Sequence, residues 1–379
     1  MGRSSGGAAA PKGSRYRLAL ALISLAVALL ITTAAYNNAA APAAALKRYA
    51  DIIPLLDGAH ASVASRIELQ GVAPVVTASF VLDRATKLLH PIAGGGAPVP
   101  LIAGSLDEVA VDGDNLAWVD LSGTPTVNYY DAARGSVRAL TVSANVTPIL
   151  GTLAAGRGTI AWSYARADGR IGAAVLAPAA SQPERYDTAF AENRTVSAVL
   201  GPDLFYSKLS DGGDLWMLNT SGGREAQVAA SPGAASTATG AFFVAWINTT
   251  AGRVEYFDVL DRIVEWIPPP TDVTPTWVLA SGVTILIGGT KPGFFSSSPR
   301  VEFYDFSMGV AHIYDSIGVD FDQNPYFAYA DHTVVSYVEE PQLRPAAPLT
   351  PWLLAISLVT LGAAVAEGLR QVFGEDDDL

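Results

Sequence analysis

The chain of 379 residues has no cysteine. That excludes disulfides, thiolate metal sites, cysteine nucleophiles and a lipid anchor on an N-terminal cysteine. Histidine is almost as scarce: His60, His90, His312 and His332 are scattered, and no two have the spacing of a metal-binding pair. Basic residues are outnumbered, with 24 Lys and Arg against 36 Asp and Glu, for a formal net charge of −12. Such a surface argues against nucleic acid as a partner, because phosphate backbones need a basic stripe. Helix-period patterns are nearly missing between Ser62 and Glu340. There is no Gly-x-Ser-x-Gly elbow and no phosphate loop, since Gly94-Gly95-Gly96 runs into Ala97-Pro98 rather than a helix.

What the chain does have is a repeated phrase. Ala117-Trp118, Ala161-Trp162, Phe205-Tyr206, Ala245-Trp246, Leu286-Ile287 and Ala328-Tyr329 recur every 40 to 44 residues, roughly one blade length. Each is followed by a turn and a second strand that often closes on Asp or Asn. Val127 to Asp131, Val254 to Asp258 and Val301 to Asp305 are the clearest copies; Leu215 to Asn219 and Ser79 to Asp83 are looser. The closing side chain suits the next turn because it can accept from the backbone two residues on. Asp112-Gly113-Asp114, Asp168-Gly169, Asp211 to Asp214 and Ser221 to Gly223 mark hairpins.

The stretch Val111 to Val119, with Tyr129-Tyr130-Asp131 and Val137 to Thr141, resembles the TolB-like and WD40-like β-propeller repeats. The resemblance covers about residues 63 to 341 and implies the fold alone. The Trp-Asp dipeptide of WD40 strands is missing, and the Pro-Asp-Gly turn of TolB repeats survives only as Val111-Asp112-Gly113. No functional residue carries over. Five units read as complete. The last, from Val319 to Val338, lacks an outer strand, and Val75 to His90 lacks a beginning. Joining these ends in one blade predicts an all-β, six-bladed propeller, with seven blades as the alternative if the N-terminal segment forms its own.

Both ends carry apolar runs. Leu18 to Ala35 has no charge and spans about 27 Å as a helix, close to a bilayer core of about 30 Å. Lys12, Arg15 and Arg17 precede it, which places the N-terminus in the cytoplasm. A cleaved signal peptide ending near Ala39 to Ala41 is the alternative. Residues 351–369 form the second expected span, opened by Pro351 and anchored by Trp352. The expected order is a cytoplasmic tail over 1–17, a transmembrane helix over 18–36, a stalk over 37–62, and an extracytoplasmic propeller over 63–341. A linker over 342–350, a transmembrane helix over 351–369 and an acidic cytoplasmic tail over 370–379 complete it. Ala44 to Leu56 reads as a short helix in the stalk.

No catalytic or cofactor-binding residue is assigned. Asp320, Asp322 and Asn324 come nearest to a calcium loop, but Pro325 replaces the glycine such a loop needs, and a turn between strands accounts for them equally. Asp211 and Asp214 read as a hairpin turn first. Asn145, Asn193, Asn219 and Asn248 open Asn-x-Ser/Thr sequons, candidate glycosylation sites on an outer domain. Phe294-Phe295 tips an insertion that suggests a contact surface. The expected function is a non-enzymatic, membrane-anchored scaffold or accessory subunit that partners a membrane or cell-envelope protein and the lipid bilayer. Alternatives are a glycan-binding module and, further off, a hydrolase using the propeller funnel.

Overall fold

The computed structural model describes residues 13–42, 45–55, 63–93, 96–101, 104–140, 146–178, 180–186, 194–208, 214–229, 234–267, 274–291, 298–307, 310–314, 327–330, 332–342 and 345–373. The chain divides into two compact units. One is the ring over Arg48–Glu339, and the other joins Met1–Lys47 with Glu340–Leu379.

The ring is a seven-bladed β-propeller. Helix α1 (Gly13–Ala40) leads into β1 (Leu46–Pro54) and β2 (Ser65–Leu69). Blade 1 is β3 (Val75–Val76), β4 (Phe80–Asp83), β5 (Leu88–Pro91) and β6 (Val99–Pro100). Blade 2 is β7 (Glu108–Asp112), β8 (Asn115–Asp120), β9 (Thr126–Asp131) and β10 (Ser136–Leu140). Blade 3 has β11 (Val146–Pro148), β12 (Ala154–Gly156), β13 (Thr159–Arg166), β14 (Ile171–Leu176) and β15 (Glu184–Tyr186); both β11 and β12 pair with β13. Blade 4 is β16 (Arg194–Leu200), β17 (Asp203–Lys208), β18 (Leu215–Asn219) and β19 (Arg224–Ala229). Blade 5 is β20 (Ala234–Thr239), β21 (Phe243–Asn248), β22 (Arg253–Asp258) and β23 (Ile263–Ile267). Blade 6 is β24 (Thr274–Ser281), β25 (Thr284–Lys291), β26 (Ser298–Asp305) and β27 (Val310–Tyr314). Blade 7 combines β28 (Phe327–Ala330) and β29 (Thr333–Pro341) with the N-terminal β1 and β2, in the order β2-β1-β29-β28. Helix α2 (Thr350–Phe373) follows.

The count of six blades is therefore corrected to seven. Val75 to His90 is not half of a shared blade but the start of blade 1. The ring does close through both chain ends, by strands drawn from the stretch 37–62, expected as a stalk with a short helix, and from residues just beyond it. Lys47 and Arg48 made this stretch look solvated. In the fold Arg48 Nε donates to Glu339 at 3.1 Å, while Ala50, Ile52 and Ile53 are buried. Asp51, also buried, takes two hydrogen bonds from Arg66, from Nε at 2.5 Å and Nη2 at 2.9 Å. Closure by paired strands removes the open edges of the ring.

The repeated phrase explains how blades stack. Its first residue faces the following blade and its second faces the preceding one. Ala117 of blade 2 shares a core cluster with Trp162 of blade 3. Ala161 of blade 3 likewise meets Tyr206 of blade 4, Ala245 meets Ile287, and Leu286 meets Tyr329. Where the first residue is alanine, a small side chain on one sheet receives a larger one from the next, while Phe205 meets Trp246 and Leu286 meets Tyr329 as large pairs.

The Asp or Asn that closes a strand caps the next turn, as the sequence suggests, on the second strand of blade 1 for Asp83 and on the third strands of blades 4, 5 and 6 for the others. Asp83 accepts from Ala85 N at 3.0 Å, Asn219 from Gly222 N at 2.8 Å, Asp258 from Leu260 N at 2.7 Å and Asp305 from Ser307 N at 2.7 Å.

Candidate functional site

Six of the seven blades send residues from their innermost strands to a cavity of about 540 Å³ on the ring axis, among them Val75, Val111, Ala155, Thr239, Leu279 and Tyr329. The tight turns that follow these strands form its rim. Gly113 and Gly282 sit at φ of 61° and 56°, a left-handed conformation that glycine adopts without strain. A Cβ at Gly156 would run into the carbonyl of Val199, so glycine there lets neighbouring inner strands approach. Backbone bonds then tie turn to turn: Ala78 N to Gly113 O at 3.2 Å, Gly201 N to Gly156 O at 3.2 Å, and Ala241 N to Gly282 O at 2.5 Å.

Side chains complete the rim. Asp112 accepts from Arg157 N at 3.1 Å and from Gly158 N, which joins blade 2 to blade 3. Asp114 accepts from Thr77 Oγ1 at 3.0 Å and Ser79 N at 2.7 Å, which joins blade 2 to blade 1. The Asp112-Gly113-Asp114 turn is thus an inter-blade clasp. Glu108, further along the same strand, accepts from Gly151 N at 2.8 Å and Leu153 N at 2.9 Å; burial raises its carboxyl pKa against those hydrogen bonds. At Asp120 burial also pushes upward, but hydrogen bonds from Ser122 and Ser105 outweigh it and hold the carboxyl well below the usual range. Each of these acids is spent on backbone or hydroxyl donors.

Among the described lining residues, the funnel holds one carboxylate, Asp112, and one guanidinium, the exposed Arg157. The arrangement suits docking of a small or extended ligand on an apolar wall. It does not bring together the two opposed carboxylates that glycoside hydrolysis uses.

The other sequence candidates fall elsewhere. Asp320, Asp322, Asn324, Asn145, Asn193, Asp211 and Phe294-Phe295 lie outside the described residues. No three His, Asp or Glu among the described residues gather as a metal site. Asp214 accepts from Gln227 Nε2 at 2.7 Å. Asn219 donates from Nδ2 to the buried Asp203 at 2.8 Å, which occupies the atom a glycan would need. Asn248 uses its Oδ1 for Ala251 N at 2.8 Å. His332 stands 3.5 Å from Asp305, across from blade 7 to blade 6, and His90 is half-buried in β5.

Sequence reasoning missed Glu302. It lies on β26, is 4% exposed, and its Oε2 has no hydrogen-bond partner. Desolvation pushes its pKa up to about 7. Glu255 occupies the same place in blade 5 but takes two bonds from Arg253, at 3.0 and 2.8 Å. The two copies read alike in sequence; only the packing separates them.

In the second unit α1 and α2 pack on each other. The less exposed positions of α1 are Ala19, Leu22, Ala26, Leu29, Thr33 and Tyr36; those of α2 are Thr350, Leu353, Ser357, Thr360, Ala364 and Glu367. Both sets alternate steps of three and four, the spacing of a left-handed helix pair. Ala26, Thr33, Ser357 and Ala364, the most buried, are small or hydroxylated. Asn37 Oδ1 accepts from Ala347 N at 2.9 Å and Thr350 Oγ1 at 3.0 Å, capping the start of α2 from the end of α1.

Comparison with known proteins returns solved structures alone. No family model matches the chain, and no curated protein does. Solved structures do. A putative TolB from Agrobacterium tumefaciens is 11% identical over 78% of this chain and 99% of its own, with a TM-score of 0.38. BamB from Moraxella catarrhalis is 20% identical over 76% and 91%, with a TM-score of 0.38. A virginiamycin B lyase from Staphylococcus aureus is 11% identical over 77% and 99%, with a TM-score of 0.42.

Proposed function

We propose that this chain is a membrane-anchored, non-catalytic propeller held outside the cytoplasm, a scaffold or accessory subunit for a protein of the cell envelope. The observation that carries the reading is the inverted pattern of the helix pair. Its outward faces show Leu20, Ile31, Trp352, Leu358 and Val359, while the most buried positions of its seam, Ala26, Thr33, Ser357 and Ala364, are small or hydroxylated. In water that arrangement leaves the apolar surface unpaid for by burial; in lipid it is the favoured one. The hydroxyls are satisfied within each helix. Thr32, Thr33, Ser357 and Thr360 bond the carbonyls of Ala28, Leu29, Leu353 and Ile356 at 2.7 to 2.8 Å. The two candidate spans, Arg17–Ala40 and Thr350–Arg370, measure about 36 and 31 Å, enough for a core of about 30 Å.

A propeller tethered at both ends stays near the bilayer, where a membrane protein is the nearest partner. The funnel offers a docking wall, and its described lining residues include a single carboxylate, Asp112. The test is purification of the full chain from its native membranes in mild detergent. A stoichiometric companion is the expected result, and a solitary monomer under those conditions contradicts the reading.

A further inference from the structure

We propose that the outer edge of blade 5 is a docking strip for an extended, acidic-and-apolar segment of a partner protein, which adds as a strand beside β23. This rests on the reading of the chain as partner-binding and names the surface.

Outer strands of a propeller are sheet edges, and a charge on the edge keeps another strand from pairing there. Four of the seven outer strands, β2, β10, β15 and β19, carry an arginine, at Arg66, Arg138, Arg185 and Arg224; β6 is the two-residue Val99-Pro100, and β27 has His312 but no arginine or lysine. β23 reads Ile-Val-Glu-Trp-Ile. Its one acid, Glu265, is bonded by the Tyr256 hydroxyl. Val264 and Trp266 alternate with it on the other face, and Trp266 is 50% exposed. Leu260 and Ile263 extend the exposed apolar surface. Arg253 lies over the Trp266 ring at 5.2 Å and holds the indole in place, so it is preset as an anchor.

The same face continues into a groove of about 810 Å³ between the outer strands of blades 4 and 5. Its floor is Met217, Val228, Phe257 and Val264, and two arginines border it. Arg262 has one carboxylate beside it, Asp203, at 3.3 Å, and its side chain is still half-exposed. Arg224 is exposed and has no ion-pair partner among the described residues. Glu225, the one acid among the described lining residues, is held by Lys208 at 2.9 Å and by Arg194 at 3.4 Å. The groove is therefore locally positive on a chain of net charge −12.

That charge selects the occupant. A segment with a carboxylate at the arginines and apolar side chains over Val264 and Trp266 matches the groove and the strip together. β23 pairs only with β22 among the described strands, and its other edge supplies the backbone donors and acceptors of a new strand.

The test uses the full chain in detergent and a synthetic peptide in which Glu and Val alternate. Hydrogen exchange is followed at residues 263–267. The peptide is expected to slow exchange there. A Lys-for-Glu peptide is expected to bind about tenfold more weakly or less, and a peptide with proline at alternate positions not at all. Arg224→Glu is expected to reverse the preference between the Glu and Lys peptides. Protection that is absent, that is equal for all three peptides, or that arises without peptide as the protein dimerises overturns the proposal. Val264→Lys with Trp266→Ser separates it from the broader reading. Both side chains are exposed, so the variant is expected to keep the wild-type melting curve. If the native companion still co-purifies with it, the strip is refuted and the scaffold reading stands; if the companion is lost, the strip is supported.

Discussion

The ring and the helix pair put opposite residues inside. In the ring, Trp118, Trp162, Trp246, Phe205 and Phe243 are buried to within a few per cent, and the outer strands carry charge. In the helix pair, Ala26, Thr33, Ser357 and Ala364 are buried, and leucine, isoleucine and valine face out. One unit is held by removing apolar area from water. The other, in the bilayer proposed for it, has no such drive and depends on close backbone approach and satisfied hydroxyls. The same substitution should therefore have different consequences in the two.

The largest effect is expected for Trp162→Ala, which empties the aromatic half of the blade 2–blade 3 interlock. A loss of about 3–5 kcal/mol follows from core truncations of this size, measured by urea unfolding of the ring. Val359→Ala, at 73% exposure on α2, is expected to leave the same curve unchanged. An equal loss at both sites would break the comparison.

Glu302 and Glu255 sharpen it within the ring. The folded Glu302 carboxyl sits at about 7, above its ordinary 4.5. The folded state then holds a proton that the unfolded state has released. Stability falls as pH rises from about 4.5 through about 7, at a cost on the order of 3 kcal/mol. Glu302→Gln should remove that slope and raise the unfolding midpoint at pH 8. Glu255→Gln, which breaks the Arg253 pair, should lower the midpoint instead. The idea fails if the two variants shift it alike.

Asp83→Ala is expected to cost about 1–3 kcal/mol, because it removes a buried carboxylate that accepts from the backbone N–H groups of Gln70, Gly71 and Ala85. Burial raises the Asp83 carboxyl, and the hydrogen bonds more than offset it, so the net pKa is lowered. Its contribution is present above the ordinary range near 3.8 and is lost as pH falls below it. A wild-type midpoint that holds steady on acidification past that range would count against this role. The smallest effect is expected at Asn37→Ala, about 1 kcal/mol or less for a polar contact between membrane helices, read as a modest drop in helix-pair association in detergent with the ring's melting curve unmoved.

Much of the ring was legible because the blade phrase is local. Ala117-Trp118 and its copies mark the second strand, and Asp83, Asn219, Asp258 and Asp305 mark the turn that each then caps. The miscount of blades came from a pairing that is not local. β1 begins with Leu46, Lys47 and Arg48, a polar start with no phrase to announce it, and its neighbour β29 ends the ring nearly three hundred residues later. The inter-blade clasp of Asp112 on Arg157 and Gly158 was invisible for the same reason. Glu302 shows the limit most sharply: it shares its strand pattern with Glu255, and only the partner supplied by folding differs. The helices read as apolar runs, but the three–four spacing of their seam appeared only once α1 and α2 were seen packed.

The proposed topology has both helices spanning the bilayer and the ring outside the cytoplasm. The lack of cysteine makes one measurement clean, since any introduced thiol is the only one in the chain. Cysteines placed singly at Ser5, Ala251 and Asp376 are probed in intact cells with a membrane-impermeant maleimide. The account predicts labelling at position 251 alone, with positions 5 and 376 reacting only after the membrane is opened. Labelling at 5 or 376 in intact cells, or protection at 251, would contradict it.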